Sequence, residues 1–104
     1  MRFMIKFEMP NDAGNIALKE YNFGERMNQY LTEINAESAY FTTINGNRGG
    51  YVVVDADDNA KMIEICEPLF LWLKARVDYF PVMTTEDLKK GNNYIQNAIN
   101  KWSF

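Results

Sequence analysis

An α+β fold, with a four-stranded antiparallel sheet and helices on one of its faces, is predicted by three observations. Residues 2–9 place Phe3, Ile5, Phe7 and Met9 in alternation with Arg2, Met4, Lys6 and Glu8, the period of two of a pleated strand. Two stretches rich in Tyr, Phe, Thr and Val, 37–44 and 51–55, flank Asn45-Gly46-Asn47-Arg48-Gly49-Gly50, a run tolerant of positive φ. Between the strands, apolar residues recur at three- and four-residue steps, the spacing of a helix with one buried face. A chain of 104 residues is one domain, 1–104, with one modest core.

After the first strand, Pro10 and Asn11-Asp12 stop the extended chain. Ile16, Phe23, Met27, Tyr30 and Ile34 then share a helical face, so a helix is expected over 13–34. Gly14 and Gly24 weaken its front half by about 1 kcal/mol each relative to alanine. Strands follow at 37–44 and 51–55, joined by a hairpin connection over 45–50. Asp57 or Asp58 can cap a second helix whose apolar positions include Met62, Ile63, Cys66 and Leu69, with Pro68 expected to kink or end it. Residues 75–83 form the last strand, and Pro81 marks an edge or a bulge. Thr84 with Asp87 begins a terminal helix that aligns Leu88, Ile95, Ala98, Ile99 and Trp102.

The order β-α-β-β-α-β followed by a helix is the split βαβ pattern of ferredoxin-like topology. In this topology the helices cover one face of the sheet. The helix-facing set is expected to be Phe3, Ile5, Phe7, Phe41, Val52, Val54, Val77 and Tyr79. The opposite face then carries Met4, Tyr40, Thr42, Ile44, Tyr51, Val53, Phe80 and Val82. Leaving large apolar side chains in water costs about 1.5–3 kcal/mol each, so that face needs a cover. A homodimer through the open sheet face is the economical solution; the terminal helix or a different partner are the alternatives.

Composition excludes several chemistries. Without histidine, a Ser-His-Asp triad, a Cys-His pair and a histidine-ligated metal centre cannot be built within one chain. The lone Cys66 permits no internal disulfide and no intrachain cluster site, so "ferredoxin-like" names a topology; no metal or other cofactor is expected. A net charge of −3 argues against nucleic acid and anionic membranes as partners. The N-terminus lacks a signal-peptide apolar core, and the longest apolar run, 69–73, is far below the ~20 residues of a membrane span. A cytoplasmic location is the expectation.

Arg48-Gly49-Gly50-Tyr51-Val52-Val53-Val54-Asp55-Ala56-Asp57, then Pro81-Val82-Met83 and Thr85-Glu86-Asp87-Leu88, resembles an uncharacterised bacterial family among the dimeric α+β-barrel proteins. Its relatives include muconolactone isomerase, antibiotic-biosynthesis monooxygenases and YCII-related proteins. The resemblance covers residues 38–90 and, loosely, the first strand. It implies two βαββαβ sheets packed as a dimeric barrel with clefts between sheet and helices, and it carries over no catalytic residue.

Local patterns that suggest chemistry have plainer accounts. Residues 46–50 could cradle a phosphate, but they lead into a strand, not a helix, and read as a hairpin; Arg48 could still reach an anion. Arg48-Gly49 resembles an RNA-recognition element, yet Gly50 and Val52 stand where stacking aromatics are needed. Asp55, Asp57 and Asn59 match the start of a calcium loop that Ala60 and Cys66 then break. Cys66 reads as a small core residue. Lys6, Glu8, Tyr40, Tyr51, Asp55, Asp78 and Tyr79 are polar or phenolic groups among apolar strand neighbours, available as contacts if a cleft forms. Lys6, Glu8, Arg76 and Asp78 could instead form cross-strand ion pairs. The expected ligand-binding residues are thus Tyr40, Arg48, Tyr51, Asp55, Asp78 and Tyr79, and no catalytic residue is assigned. The function expected is binding of a small apolar or aromatic metabolite. A cofactor-free isomerase or monooxygenase, with Asp55 or Asp78 as proton shuttle, and a structural or regulatory dimer without a ligand are the alternatives.

Overall fold

Alternation of apolar and polar side chains makes Arg2–Glu8 a strand, β1, with Phe3, Ile5 and Phe7 buried beneath it. The computed structural model describes residues 1–104. The later strands are β2, Ser38–Ile44; β3, Asn47–Asp55; and β4, Arg76–Pro81. They form one sheet in the order β2-β3-β1-β4, with every neighbouring pair antiparallel. β4 is an edge, where Pro81 costs no ladder hydrogen bond on its outer side.

The expected helix over 13–34 is two helices: α1, Asn11–Lys19, and α2, Phe23–Glu33. The chain leaves the helical conformation at Glu20, whose ψ is 124°. The buried face of α1 is Ala13, Gly14 and Ala17, while Ile16 points to solvent. Small residues let α1 lie close to the sheet: a Cβ on Gly14 would sit 3.1 Å from Nη1 of Arg48.

The connection expected over 45–50 is only two residues long. Asn45 and Gly46 both have positive φ, 52° and 79°, and Ile44 pairs directly with Asn47. That is the geometry of a type I′ hairpin turn, which matches the twist of its strands. β3 therefore begins at Asn47 and carries Gly49 and Gly50 inside the sheet. A Cβ on Gly49 would collide with the Phe7 carbonyl oxygen on β1, and one on Gly50 with the Tyr40 carbonyl oxygen on β2. These glycines serve close strand approach, not a turn.

α3, Lys61–Leu73, buries Met62, Ile65, Cys66, Leu69 and Leu73; Ile65 takes the inward place expected of Ile63, which is exposed. Asp58 accepts a bond from the Ala60 N–H at 2.9 Å, so it caps the turn leading into the helix, and Ala60 holds the N-cap position without a side-chain bond. Pro68 does not end α3. Proline leaves the carbonyl four residues earlier without its helical donor, but Leu69 and Leu73 beyond it are fully buried and hold the helix on the sheet. Beside this irregularity the Tyr30 hydroxyl donates to the Ile65 carbonyl at 2.6 Å. Lys74, at φ 50°, turns the chain from α3 into β4.

Burial pushes the Tyr30 phenol well above its ordinary value. The folded state therefore keeps a proton that the unfolded chain releases above about pH 10, the unperturbed tyrosine value. Tyr30 adds stability below that pH and progressively less as pH rises beyond it. Tyr30→Phe is expected to cost about 1–2 kcal/mol at neutral pH through the lost bond. It should also flatten the decline in stability above pH 10. Urea titrations of both proteins at pH 7 and 10.5 measure the two effects.

The core lies between the helices and one sheet face, centred on Ile5, Phe7, Val52, Val54, Leu69 and Leu73. Phe41 and Tyr79 share this face, edge-on to Phe7 and Phe3 at 6.3 and 6.0 Å, but lie on the outer strands and remain about half exposed. The expected terminal helix is two helices separated at Gly91: α4, Thr85–Lys90, and α5, Asn92–Trp102. The Thr84 hydroxyl accepts from the Asp87 N–H at 3.2 Å, and the Asp87 carboxylate accepts from the Thr84 N–H at 2.9 Å, a capping box. No residue of α4 or α5 is buried. The radius of gyration, 17.4 Å, exceeds the ~13 Å of a compact chain this long, and the long axis reaches 58 Å.

Candidate functional site

The sheet face turned away from α1, α2 and α3 has no covering element in its own chain. Its pattern follows from register. Lys6 lies opposite Tyr51 on one side and Asp78 on the other, and Tyr51 lies opposite Tyr40. Tyr40, Tyr51, Lys6 and Asp78 thus form one row across four strands, about 14 Å long at ~4.8 Å per strand. The next row is Ser38, Val53, Met4 and Phe80, and the row on the other side is Thr42, Gly49, Glu8 and Arg76. Apolar side chains border the phenols on one flank and charged ones on the other. Met4, Tyr51 and Val53 are half-buried, while Tyr40 and Phe80 are exposed. Ile44, assigned to this face, is buried at the end of the sheet, its Cδ1 3.0 Å from where a Gly49 Cβ would be.

At the charged flank, Glu8 accepts from the Asn47 and Asn45 side-chain amides at 2.7 and 3.0 Å. These two bonds, Asn47 first, hold its carboxyl below the usual range, with help from the charges of Arg76 and Lys6. The register also sets Lys6 opposite Asp78 and Glu8 opposite Arg76. With Asn45 the four charged groups line a polar bowl of about 200 Å³. Toward the opposite end of the face, Asp55 is exposed and sits 3.3 Å from the Met1 amino group. Its register partner Arg2 reaches instead to Glu37 through two bonds of 2.8 Å.

Of the six expected ligand contacts, the fold brings Tyr40, Tyr51 and Asp78 into one row and places Asp55 farther along the same face. Arg48 and Tyr79 lie on the helix side. The Arg48 guanidinium donates to the Asn15 side-chain oxygen at 2.9 Å. Tyr79 lines an apolar groove of about 240 Å³ with Met62, Ile63, Cys66, Phe70 and Val77 between α3 and β4. Cys66 is buried there, and burial pushes its thiol up, away from the reactive thiolate.

One concavity has no counterpart in the sequence reading. Between α2 and α3, Arg26, Gln29, Tyr30, Glu33, Pro68, Leu71 and Trp72 line a groove of about 350 Å³. The Arg26 guanidinium stands 5.2 Å over the Trp72 ring, Phe23 packs on that ring at 5.4 Å, and the buried indole N–H has no partner. Trp72 lies in the apolar run 69–73 and Arg26 carries no sequence signal of its own, so only tertiary packing unites them. No group of three or more Cys, Asp or Glu side chains is arranged to hold a metal ion, and no helix is long and apolar enough to cross a membrane.

Residues 1–93 match a family described as a domain of unknown function (DUF3303). No curated protein matches the sequence.

Proposed function

The chain belongs to the DUF3303 family, and we propose that it works as a two-fold dimer whose facing sheets enclose a small apolar or aromatic molecule. The strand order β2-β3-β1-β4, antiparallel throughout with helices on one side, supports a ferredoxin-like assignment and, in the dimer, an α+β barrel. The observation that carries the reading is the row Tyr40, Tyr51, Lys6 and Asp78 beside Met4, Val53 and Phe80, all on the uncovered face. A second copy, applied face to face, removes that apolar surface from water and leaves the row pointing into the space between sheets. Phenol rings offer flat apolar area with a hydrogen-bonding tip, and Lys6 and Asp78 supply one donor and one acceptor of full charge. Few polar groups in an apolar surround are what fix the orientation of a small ligand.

Native mass spectrometry of the protein purified from its own host tests this reading. The expected spectrum shows a dimer carrying a retained small molecule that Tyr51→Ala releases. A bare monomer at micromolar concentration overturns it.

A further inference from the structure

The arm made of α4 and α5 carries an apolar stripe with no surface of its own chain to rest on. Leu88, Ile95, Ile99 and Trp102 recur at helical spacing and stay 51, 47, 50 and 72% exposed. The arm draws the molecule out to 58 Å along one axis, against 28 and 20 Å along the others. α5 cannot owe its helical form to itself. It has eleven residues, four of them asparagine (Asn92, Asn93, Asn97 and Asn100), and no side-chain cap at its start. Isolated helices below ~12–15 residues are marginal even when rich in alanine, and asparagine is a poor helix former. Packing against a surface beyond its own chain would supply the stability that its sequence does not.

Charge indicates the source. Residues 84–104 carry three lysines against two carboxylates, whereas the other 83 residues carry eight basic against twelve acidic side chains. A +1 arm meets its opposite sign on a −4 body, and a second copy supplies that body in the same orientation for both partners. The areas agree. Four large side chains, each able to remove on the order of 100 Å² from water, give two arms roughly 600–800 Å². A stable interface of standard size buries about 1,600 Å², and the two sheet faces supply the remainder.

We propose that the arm of each copy crosses to a second copy and packs Leu88, Ile95, Ile99 and Trp102 on that copy's body, reciprocally. This rests on the two-fold dimer proposed above and adds a second interface to it, closing the end of the space between the sheets.

Analytical ultracentrifugation of the full chain tests the proposal, with Ile95→Asp/Ile99→Asp as the arm variant and Val53→Lys as the sheet-face variant. Because the arm buries nothing in its own body, the arm variant should keep the wild-type urea midpoint at monomer concentrations. Its dimer dissociation constant is expected to rise at least about a hundredfold. In a Trp72→Phe background that leaves the arm intact, acrylamide quenching of Trp102 should fall as the chain dimerises. A dissociation constant within threefold of wild type, with Trp102 equally quenched in monomer and dimer, overturns the proposal. If Val53→Lys still breaks the dimer in that case, the sheet-face reading survives without the arm. If the arm variant breaks it and Val53→Lys does not, the arm stands and the sheet-face reading falls. A wild-type chain that stays monomeric overturns both.

Discussion

Phe7→Ala is expected to lower the free energy of unfolding by about 3–5 kcal/mol, the cost of emptying a fully buried aromatic site. Phe7 is 1% exposed on the central strand. Its ring lies against the bare backbone of Gly50, with Cε1 and Cζ 3.1 and 3.2 Å from where a Cβ would stand, and reaches across to meet Phe41 edge-on. One side chain thus spans β1, β3 and β2 in a single row, since Phe7 pairs with Gly50 and Gly50 with Phe41. Alanine at position 7 leaves three strands without their common contact, and Gly50 has no side chain to close the gap. Urea denaturation at one fixed protein concentration measures the loss, because dimerisation would make apparent stability concentration-dependent. A change below about 1.5 kcal/mol would show that the helices collapse into the site.

The reverse substitution, Gly50→Ala, is expected to cost about 3 kcal/mol. The added methyl collides with the Tyr40 carbonyl oxygen, which is backbone and moves only if β2 moves. It also presses on the Phe7 ring. Overpacking alone costs about 1–3 kcal/mol, and displacing a hydrogen-bonded edge strand places the loss at the upper end. The pair should be strongly coupled: Phe7→Ala/Gly50→Ala relieves the clash with the ring but not the clash with the carbonyl. The double variant is therefore expected to be more stable than the sum of the two single losses by about 1 kcal/mol or more. Additive losses, or a Gly50→Ala protein within about 0.5 kcal/mol of wild type, would mean that β3 lies farther from β2 than described.

These two residues also show how much was legible in the sequence. The alternation around Phe7 identifies a strand and its buried side because period two admits one interpretation. In composition Gly49 and Gly50 are indistinguishable from the turn residues Asn45 and Gly46, since a glycine that bends the chain looks the same as one that admits a neighbouring backbone. The difference mattered for the site. A two-residue turn pairs Ile44 with Asn47, and that register alone sets Tyr40 opposite Tyr51. The face could be listed from parity, but the row could not. A loop position would leave Arg48 free to reach a ligand, whereas as a strand residue it is turned toward α1 and held by Asn15. The first helix was legible over Met27, Tyr30 and Ile34. Its break at Glu20 was not, because α1 packs through alanine and glycine, which carry little hydrophobic signal. The arm deceived in the opposite sense: its stripe is as regular as that of any packed helix, yet its own body does not receive it.

The central position of β1 bears on the order in which the sheet can be assembled. As the chain emerges from the ribosome, the strand destined for the middle comes first, with both rows of backbone hydrogen-bonding groups unclaimed. The β2–β3 hairpin can close within about 1–10 μs of its synthesis. At ~5–20 residues per second, however, β4 follows β1 by roughly 4–16 s. Once β3 is complete at residue 55, β4 is still roughly 1–5 s away at that rate, and through that shorter interval β1 has β3 on one side and a vacant, apolar-flanked edge on the other. Nascent chains halted before residue 76 should accordingly depend on chaperones, and those halted well beyond 81 should not.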